Sequence, residues 1–573
     1  MSTLSHVGPS RWPDRTRLPV SRTLPGLLDE IAAGTPQAPA LVAGRDRLSY
    51  ADLADRARAA AGVLSLLGVE RGSRVALLAT NTISWHEVAF GALRRGARVD
   101  AFNTWVRAYD LQHLLAASGA EVLVMVPAAG STDLLAELRL VLPELWESTP
   151  GLWRSAGYPS LRHVVVLGDD NLPRGAESWS ALLAATMRSG SVGNTSVAAD
   201  VDSDLSDPDD IATVLYTSGS TQYPKAVPLV HSTMIENAFG IGERMGLSEH
   251  DRVWLGSPLF WSFGIANAAI ATMSHGACLV LQERFSPEEA AALMQAESCT
   301  AAYLLPSIVD ALAVNAGPAV RSLDSLRTGL TIGRPDEVRR VVDELGIADI
   351  CNVYGSTETY GNCCVTSHSL PLADRLVTQG EPLPGVELRI VDATSQTVVP
   401  VGEPGEIQVR GHVMPGYIGD PSTTAAVMTE DGWFRTGDTG LLHEEGRVQF
   451  LARHSEMIKT SGINVSPVEV ESLLSQHPSV VDVAVVGAPH PTKGEVVVAF
   501  VSTRAPDLSG QDVIDFCKGA VASYKIPWIV IVVSDLPRTS TGKLARKQLL
   551  SQANSALESL TAEASGRDTG SAR

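Results

Sequence analysis

The sequence predicts an α/β protein of more than one domain, and three observations support this prediction. The chain has 573 residues, which exceeds the roughly 100–200 residues of a single domain. From residue 25 onward, strand-like and helical segments alternate, a pattern typical of a doubly wound, mainly parallel sheet. Beyond residue 380, short strands separated by glycine and proline turns indicate a smaller β-rich unit.

The first predicted elements illustrate the alternation. A helix is predicted for LSYADLADRARAAAGVLSLLG, because Ser49 can cap its start, Asp52 lies three positions later and Gly68 can end it. A strand, a helix and a second strand follow in chain order: SRVALLAT, SWHEVAFGALRRG and AEVLVMV.

The two ends and the later part of the chain have different compositions. Residues 1–24 are rich in Pro, Arg and Ser and predict an irregular arm, and the polar residues 187–209 predict a linker or surface loop. After Arg453 a compact α+β segment begins, with the helix PVEVESLLSQ and the strands VVDVAVVG and EVVVAFV. From residue 551 the chain is polar, which predicts a disordered tail.

Composition excludes several classes of protein. The formal net charge is −19, which argues against a nucleic-acid partner, although a locally positive site for small anions remains compatible with it. The six cysteines form neither a zinc pattern nor a disulfide framework, so we expect reduced thiols in a cytoplasmic protein. The most apolar run, GIANAAIATMSHGACLVL, contains polar breaks, and we expect no membrane span.

The segment YTSGSTQYPKAV, which follows the predicted strand DIATVLYT, is the first candidate for a ligand site. Its hydroxyl groups, its backbone N–H groups and Lys225 are donors suited to phosphate oxygens. Pro224 before Lys225 excludes the Walker pattern, and G-x-G-x-x-G is absent. Taken alone, the segment is also compatible with a polar surface turn.

Further motifs follow this loop in a fixed order: VYGSTET (353–359), WFRTGDTG (433–440), GRVQFLARHSEMIKTSGINVSPVEVE, YKIP (524–527) and PRTSTGKLARKQL (537–549). Together with the loop they resemble the motifs of the adenylate-forming superfamily, which includes acyl- and aryl-CoA synthetases. The resemblance covers about residues 25–550, and the ordered set is far more specific than any one motif.

This resemblance implies a fold and domain boundaries. It implies a large N-terminal domain of doubly wound α/β subdomains with a small β-barrel-like unit, and a smaller mobile α+β C-terminal domain. The expected boundaries are an arm (1–24), an adenylation domain (25–452), a hinge (453–455), the C-terminal domain (456–550) and the tail (551–573).

The resemblance also implies a reaction. A carboxylate attacks the α-phosphate of ATP to give acyl-AMP and pyrophosphate, and the acyl group then passes to the thiol of CoA. Catalysis of the first step is mainly positioning and charge neutralisation. By resemblance, the β- and γ-phosphates are held by Thr217, Ser218, Gly219, Ser220, Thr221 and Lys225.

The remaining nucleotide contacts are implied in the same way. Thr357 would bind the α-phosphate, and Glu358 would help to hold Mg²⁺. Tyr354 would stack on adenine, while Asp438 and Arg453 would contact the ribose. Lys543 would bridge the α-phosphate and the carboxylate, so the catalytic set is Lys543, Lys225, Thr357 and Glu358.

The second half-reaction is expected to need a rotation of the C-terminal domain that removes Lys543 and brings another face to the site. Lys459 and Gly462 would then line the pantetheine tunnel, where glycine permits close approach of a thin ligand. The expected cofactors are therefore ATP, Mg²⁺ and CoA.

The predicted acyl pocket suggests the class of acid. Its bulk favours an aryl or medium-length acid, and Trp261 cannot pair with the ammonium group of an amino acid. As alternatives to the plain core aromatic, Trp261 could form an apolar wall or gate a tunnel. The candidate residues are Trp261, Phe263, Tyr303, Thr331, Ile332, Gly333, Tyr360 and Gly361.

Departures from the family pattern leave alternatives open. Gln222 and Ala226 replace usual glycines, Ser455 occupies the hinge position, and Trp261 stands where many relatives carry His. The acceptor could be CoA, a separate carrier protein or an amine, and a binding protein without catalysis is a further alternative. A homodimer is one expected assembly.

Overall fold

The protein is described here by a computed structural model. The structure describes residues 5–8, 17–190, 203–217, 224–315, 323–453, 456–460, 463–490, 493–518, 525–539 and 543–568.

The first of two large sheets confirms the predicted βα alternation. All of its strands pair in parallel except Lys225–Val230, which runs antiparallel to its neighbour. Val122–Met125 is buried along its whole length, because helices cover both faces of such a sheet. In the described residues its strands lie in the order Glu177–Ser178, His163–Val166, Val122–Met125, Arg74–Leu78, Arg98–Ala101, Ile211–Thr217 and Lys225–Val230.

The second large sheet is parallel at its centre and antiparallel at both edges. Two mainly parallel sheets with helical connections confirm the doubly wound α/β prediction. In the described part of the chain the strand order is Glu381–Pro382, Cys364–Val365, Asp349–Tyr354, Thr328–Thr331, Ala301–Leu304, Arg252–Leu255, Cys278–Leu281, Pro39–Ala43 and Asp46–Ser49.

Most helices of this region pack on the two sheets, while Pro421–Val427 lies against the strand Phe434–Leu442 of the β-rich unit. The helix Tyr50–Leu66 begins with the predicted capping box: Ser49 Oγ accepts from Asp52 N at 3.1 Å, and Asp52 Oδ2 accepts from Ser49 N at 3.0 Å. The other α-helices are Leu24–Gly34, Ile83–Arg94, Ala108–Ser118, Leu134–Val141, Trp179–Gly190, His231–Met245, Ile270–Ser274, Pro287–Ala296, Pro306–Asn315, Pro335–Leu345, Leu372–Val377 and Pro421–Val427. Short 3₁₀ or π segments are Pro143–Trp146, Phe263–Ala269 and Thr357–Thr359.

The β-rich unit is an open antiparallel sheet in the described residues, and its outer strands are not paired with each other. The arm, predicted to be irregular, contributes the edge strand His6–Val7, which pairs with Val386–Val391 and satisfies the open edge of that strand. The strand order is His6–Val7, Val386–Val391, Gly405–Gly411, Phe434–Leu442 and Val448–Arg453.

The C-terminal region is an α+β unit, as predicted. Its strands are Ile463–Val465, Ile458–Thr460, Gly494–Thr503, Val480–His490 and Ile529–Val533, and its helices are Pro467–Leu474, Gly510–Cys517 and Arg546–Asp568. The last helix corrects the prediction of disorder from residue 551. Leu549, Ala553 and Leu557 are buried at a spacing of four residues, so one face of this otherwise polar helix packs on the sheet.

None of the helices in the described ranges has the length and apolar character needed to cross a bilayer.

Candidate functional site

The predicted phosphate loop connects two antiparallel strands at the edge of the first sheet. Thr217 and Lys225 are directly paired across these strands, and both are half-buried. Ala226 is buried, and its carbonyl accepts a hydrogen bond from Ile418 N at 3.0 Å. The other predicted loop residues lie outside the described residues: Ser218, Gly219, Ser220, Thr221 and Gln222.

Three predicted nucleotide residues meet where the second large sheet faces the antiparallel unit. Tyr354 ends the strand Asp349–Tyr354, and its hydroxyl donates to Asp438 Oδ2 at 2.8 Å. Asp438 and Arg453 are opposite each other on neighbouring strands, with Arg453 Nε 3.0 Å from Asp438 Oδ1. The ring of Tyr354 stacks on Phe450 at 5.9 Å between centroids. The structure therefore brings Tyr354, Asp438 and Arg453 together.

The carboxyl group of Asp438 has an unusually high pKa. Burial raises its pKa to about 6, although Arg453 and the Tyr354 hydroxyl act in the opposite direction, and Glu456 and Glu358 add to the rise. Oδ1 is buried and accepts no hydrogen bond with proper geometry from the described residues. Its contact with Arg453 Nε is an ion pair without hydrogen-bond geometry, so this oxygen can still accept from a ligand hydroxyl.

Glu358 and Lys225 are connected by Tyr417, a residue that the sequence analysis did not identify. The Tyr417 hydroxyl donates to Glu358 Oε1 at 2.7 Å, and the ammonium nitrogen of Lys225 lies 4.8 Å from the centroid of the same ring. Burial and the neighbouring carboxylate raise the pKa of Tyr417, so its hydroxyl stays a donor. Thr357 Oγ1 lies 3.4 Å from Ser262 Oγ, within hydrogen-bond distance.

Lys543 lies on a short turn before the last helix. Its carbonyl accepts from Thr539 N at 2.7 Å. Desolvation, and secondarily the positive charge of Arg453, lower the pKa of its ammonium group, while part of the side chain stays exposed.

Three of the predicted acyl-pocket residues, Trp261, Phe263 and Tyr303, take part in contacts between aromatic rings. The ring of Trp261 contacts Trp105 edge-on at 5.2 Å between centroids, and Phe260 lies 5.6 Å from Trp105. Phe263 and Tyr303 form a second edge-on pair at 5.1 Å. Trp105 and Phe260 were not among the predicted pocket residues, and Trp105 is separated from Trp261 by more than 150 positions, so no local pattern connects them.

The other predicted pocket residues have different surroundings. Thr331 is buried, Ile332 is 41% exposed, and the Gly333 carbonyl accepts from Asn352 Nδ2 at 3.3 Å. Tyr360 is fully buried, with its hydroxyl accepting from Val230 N at 3.3 Å.

Gly361 has a structural reason to be glycine. Its φ is +91°, and an added Cβ would lie 2.6 Å from Asn267 Oδ1.

The predicted tunnel residues are only partly described. Lys459 lies in the strand Ile458–Thr460, and its side chain is outside the described atoms. Gly462 and the hinge residue Ser455 are outside the described residues.

Comparison with known proteins identifies the family and several similar proteins. The family model for AMP-binding enzymes matches residues 28–418, and the model for the C-terminal domain of AMP-binding enzymes matches residues 469–543. The Bacillus subtilis protein YngI, which bears the provisional name acyl-CoA synthetase, is 32% identical over 539 residues, covering 92% of this chain and 97% of its own. The mitochondrial medium-chain acyl-CoA ligase ACSF2 of Mus musculus is 29% identical, with coverages of 93% and 88%.

A solved structure is similar over nearly the whole chain. The anthranilate CoA ligase AuaEII in complex with anthranoyl-AMP superposes with a TM-score of 0.81 at 25% identity, covering 95% of this chain and 100% of its own.

Proposed function

The chain belongs to the AMP-binding enzymes of the adenylate-forming superfamily, and on this premise we propose how its residues perform the reaction. The protein is an AMP-forming acid–thiol ligase. It activates a carboxylic acid with ATP, releases pyrophosphate and transfers the acyl group to the thiol of CoA. The observation that best supports our residue assignment is the buried carboxylate of Asp438 beside Tyr354. Its Oδ1 pairs with Arg453 but accepts no hydrogen bond from the residues that the structure describes.

We assign the nucleoside to this cluster. The two oxygens of ionised Asp438 can accept from the two ribose hydroxyls, and Arg453, which is half-exposed, can reach the same sugar. Tyr354 offers an aromatic ring held in place by Phe450 on one side and by its bond to Asp438. Because these groups are fixed before the ligand arrives, little ordering is needed on binding.

Lys225 and Lys543 would offset the repulsion between the substrate carboxylate and the triphosphate, which opposes the first step. The substrate carboxylate oxygen forms a bond to the α-phosphorus while the bond from that phosphorus to the pyrophosphate oxygen breaks. Two negatively charged reactants must approach, so Lys225 on the β- and γ-phosphates and Lys543 between the α-phosphate and the carboxylate lower the barrier. Thr357, beside Ser262, would donate to the α-phosphate.

Glu358 is the residue that we propose for Mg²⁺. The described residues contain no group of three or more His, Cys, Asp or Glu side chains that could hold a metal alone. One carboxylate fits an ion that takes its other oxygen ligands from phosphates and water. When bound, the ion would neutralise phosphate charge. The Tyr417 hydroxyl fixes the Glu358 carboxylate by donating to Oε1.

The second step uses a different orientation of the C-terminal domain. We propose rotation about residues 453–455, after which Lys459 and Gly462 line the path of the pantetheine arm. The thiol sulfur forms a bond to the acyl carbon, the thiol proton is released, and AMP leaves with the electrons of the acyl–oxygen bond.

For the acid we propose an aryl or medium-chain compound. The aromatic group of Trp105, Phe260 and Trp261 offers flat apolar surfaces. The similar proteins that are named for a medium-chain acid and for anthranilate agree with this class. The described cysteines are all free and buried, which supports our proposal of a reducing, cytoplasmic location.

The experiment that tests this function is detection of acyl-AMP by mass spectrometry. The enzyme is incubated with ATP, Mg²⁺ and a panel that includes benzoate, octanoate and acetate, without CoA. We expect an adenylate from an aryl or medium-chain acid and little from acetate. Formation from acetate alone would overturn the proposed substrate class.

A further inference from the structure

Arg334 contacts both domains and is not among the residues assigned to ATP, the acid or CoA. It follows Gly333 and precedes the helix Pro335–Leu345 of the N-terminal domain. Its side chain is only 12% exposed and reaches the C-terminal domain, where Nη1 donates to Glu471 Oε2 at 3.4 Å and to the Val483 carbonyl at 3.2 Å. Nη2 lies 3.9 Å from Asp482 Oδ1.

The same two acidic residues hold arginines on either side of Lys543. Arg538 donates to Asp482 Oδ2 at 2.6 Å, and Arg546 donates to Glu471 Oε1 at 3.1 Å. Glu471 is almost completely buried and also accepts from Val485 N at 2.8 Å. Each acid is therefore shared between an arginine of its own domain and Arg334.

Short backbone hydrogen bonds join the residues that neighbour Arg538 to Lys543 and to the residue before Arg546. Thr539 N donates to the Lys543 carbonyl at 2.7 Å, and Ala545 N donates to the Pro537 carbonyl at 2.8 Å. Arg538 and Leu544 are bridged in antiparallel fashion. The described residues on either side of Lys543 are thus connected to each other by backbone hydrogen bonds, and the flanking arginines pair with Asp482 and Glu471.

We propose that Arg334 is an interdomain positioning residue that holds the Lys543 turn in place for adenylation and must release it before thioester formation. The inference rests on the proposed function of Lys543. A rotation of the C-terminal domain would carry Arg538, Arg546 and their acidic partners together, so those contacts are kept in both orientations. The contact with Arg334 is the one that rotation breaks, and it therefore favours one orientation over the other.

The test compares Arg334→Met with Arg340→Met in the full-length enzyme. Both replace an arginine by an unbranched apolar side chain, but Arg340 pairs with Glu344 within its own helix. Adenylation is measured as pyrophosphate release with benzoate or octanoate, whichever is faster in the wild type. Thioester formation is measured separately from supplied benzoyl-AMP or octanoyl-AMP and CoA. Trypsin cleavage after Arg453, identified by the mass of the C-terminal fragment, reports domain release without any activity.

We expect Arg334→Met to slow adenylation at least tenfold, to leave thioester formation at or above the wild-type rate, and to speed cleavage after Arg453. Arg334→Lys, which keeps the charge near Glu471, should recover most of the adenylation rate. Arg340→Met should match the wild type in all three measurements.

Two results of the rate measurements would overturn the proposal. One is an unchanged adenylation rate in Arg334→Met. The other is an equal loss in both half-reactions with a lower melting temperature, which would show a purely structural role. If the wild type adenylated no acid, the proposed function would fail. Independently of any activity, unchanged trypsin cleavage in Arg334→Met would refute the role of Arg334 in holding the two domains together.

Discussion

The raised pKa of Asp438 predicts that nucleotide binding weakens under mildly acidic conditions. The carboxyl is buried, and burial disfavours its charged form, so its pKa lies near 6 rather than near the ordinary value of about 4. Only the ionised form can accept hydrogen bonds from both ribose hydroxyls. Lowering the pH from 7 to 5 therefore removes the form of Asp438 that binds both hydroxyls.

The magnitude follows from this pKa. With a pKa near 6, Asp438 is about 90% ionised at pH 7 and about 10% ionised at pH 5. If affinity follows the ionised fraction, binding weakens about tenfold over this range, which corresponds to about 1.4 kcal/mol. A carboxyl with the ordinary pKa would remain more than about 90% ionised at pH 5 and would give almost no change.

The assay is isothermal titration calorimetry with ATP and with 2′,3′-dideoxy-ATP at pH 5, 6 and 7. Both nucleotides carry the same triphosphate, so phosphate ionisation cancels in the ratio of their dissociation constants. The advantage of ATP over the dideoxy compound should shrink about tenfold between pH 7 and pH 5. A ratio that does not change with pH would refute the assignment of Asp438 to the ribose.

Three substitutions test the other assignments. Lys543→Ala should lower the rate of pyrophosphate release by about 100-fold or more and leave thioester formation from supplied acyl-AMP intact. The control Lys547→Ala, at an exposed site nearby, should change neither rate. Survival of adenylation in Lys543→Ala would disprove the role of Lys543. Tyr417→Phe keeps the ring near Lys225 but removes the hydrogen bond to Glu358. The adenylation rate should therefore fall about 10- to 100-fold, and half-maximal activity should need a higher Mg²⁺ concentration. An unchanged Mg²⁺ dependence would contradict the role of Tyr417 in orienting Glu358. Trp105→Ala should raise the KM for the acid about 2- to 10-fold without changing the KM for ATP, and an equal rise for both would speak against an acyl-pocket role.

Much of the fold could be predicted because it is determined by local patterns. The capping box at Ser49 and Asp52, for instance, needs only two side chains three positions apart, and the structure contains it. The part of the last helix beyond residue 551 was predicted to be disordered because its composition is polar. Among its described side chains, Leu549, Ala553 and Leu557 carry the buried face.

The site was predictable only through its motifs. Asp438 and Arg453 meet because of an irregularity between Thr439 and Gly440 in their strand pair. Without it, the register that pairs Leu442 with Val448 would place Asp438 opposite Ala452. A shift of one residue changes which side chains face each other, and composition does not reveal it.

Tyr417 and Trp105 were missed for another reason. Tyr417 meets Glu358 from 59 positions away, and Trp105 meets Trp261 from a separate part of the chain. Such contacts depend on the tertiary arrangement of whole elements, and neither residue lies in a segment with a distinctive pattern.

Acid activation and transfer to CoA are tested together by the rate of pyrophosphate release with the preferred acid, measured with and without CoA. We expect that release requires the acid, that CoA accelerates turnover, and that acyl-CoA forms in amounts equal to the pyrophosphate released. Acid-dependent release that CoA leaves unchanged, with no acyl-CoA formed, would contradict the assignment of CoA as the acceptor.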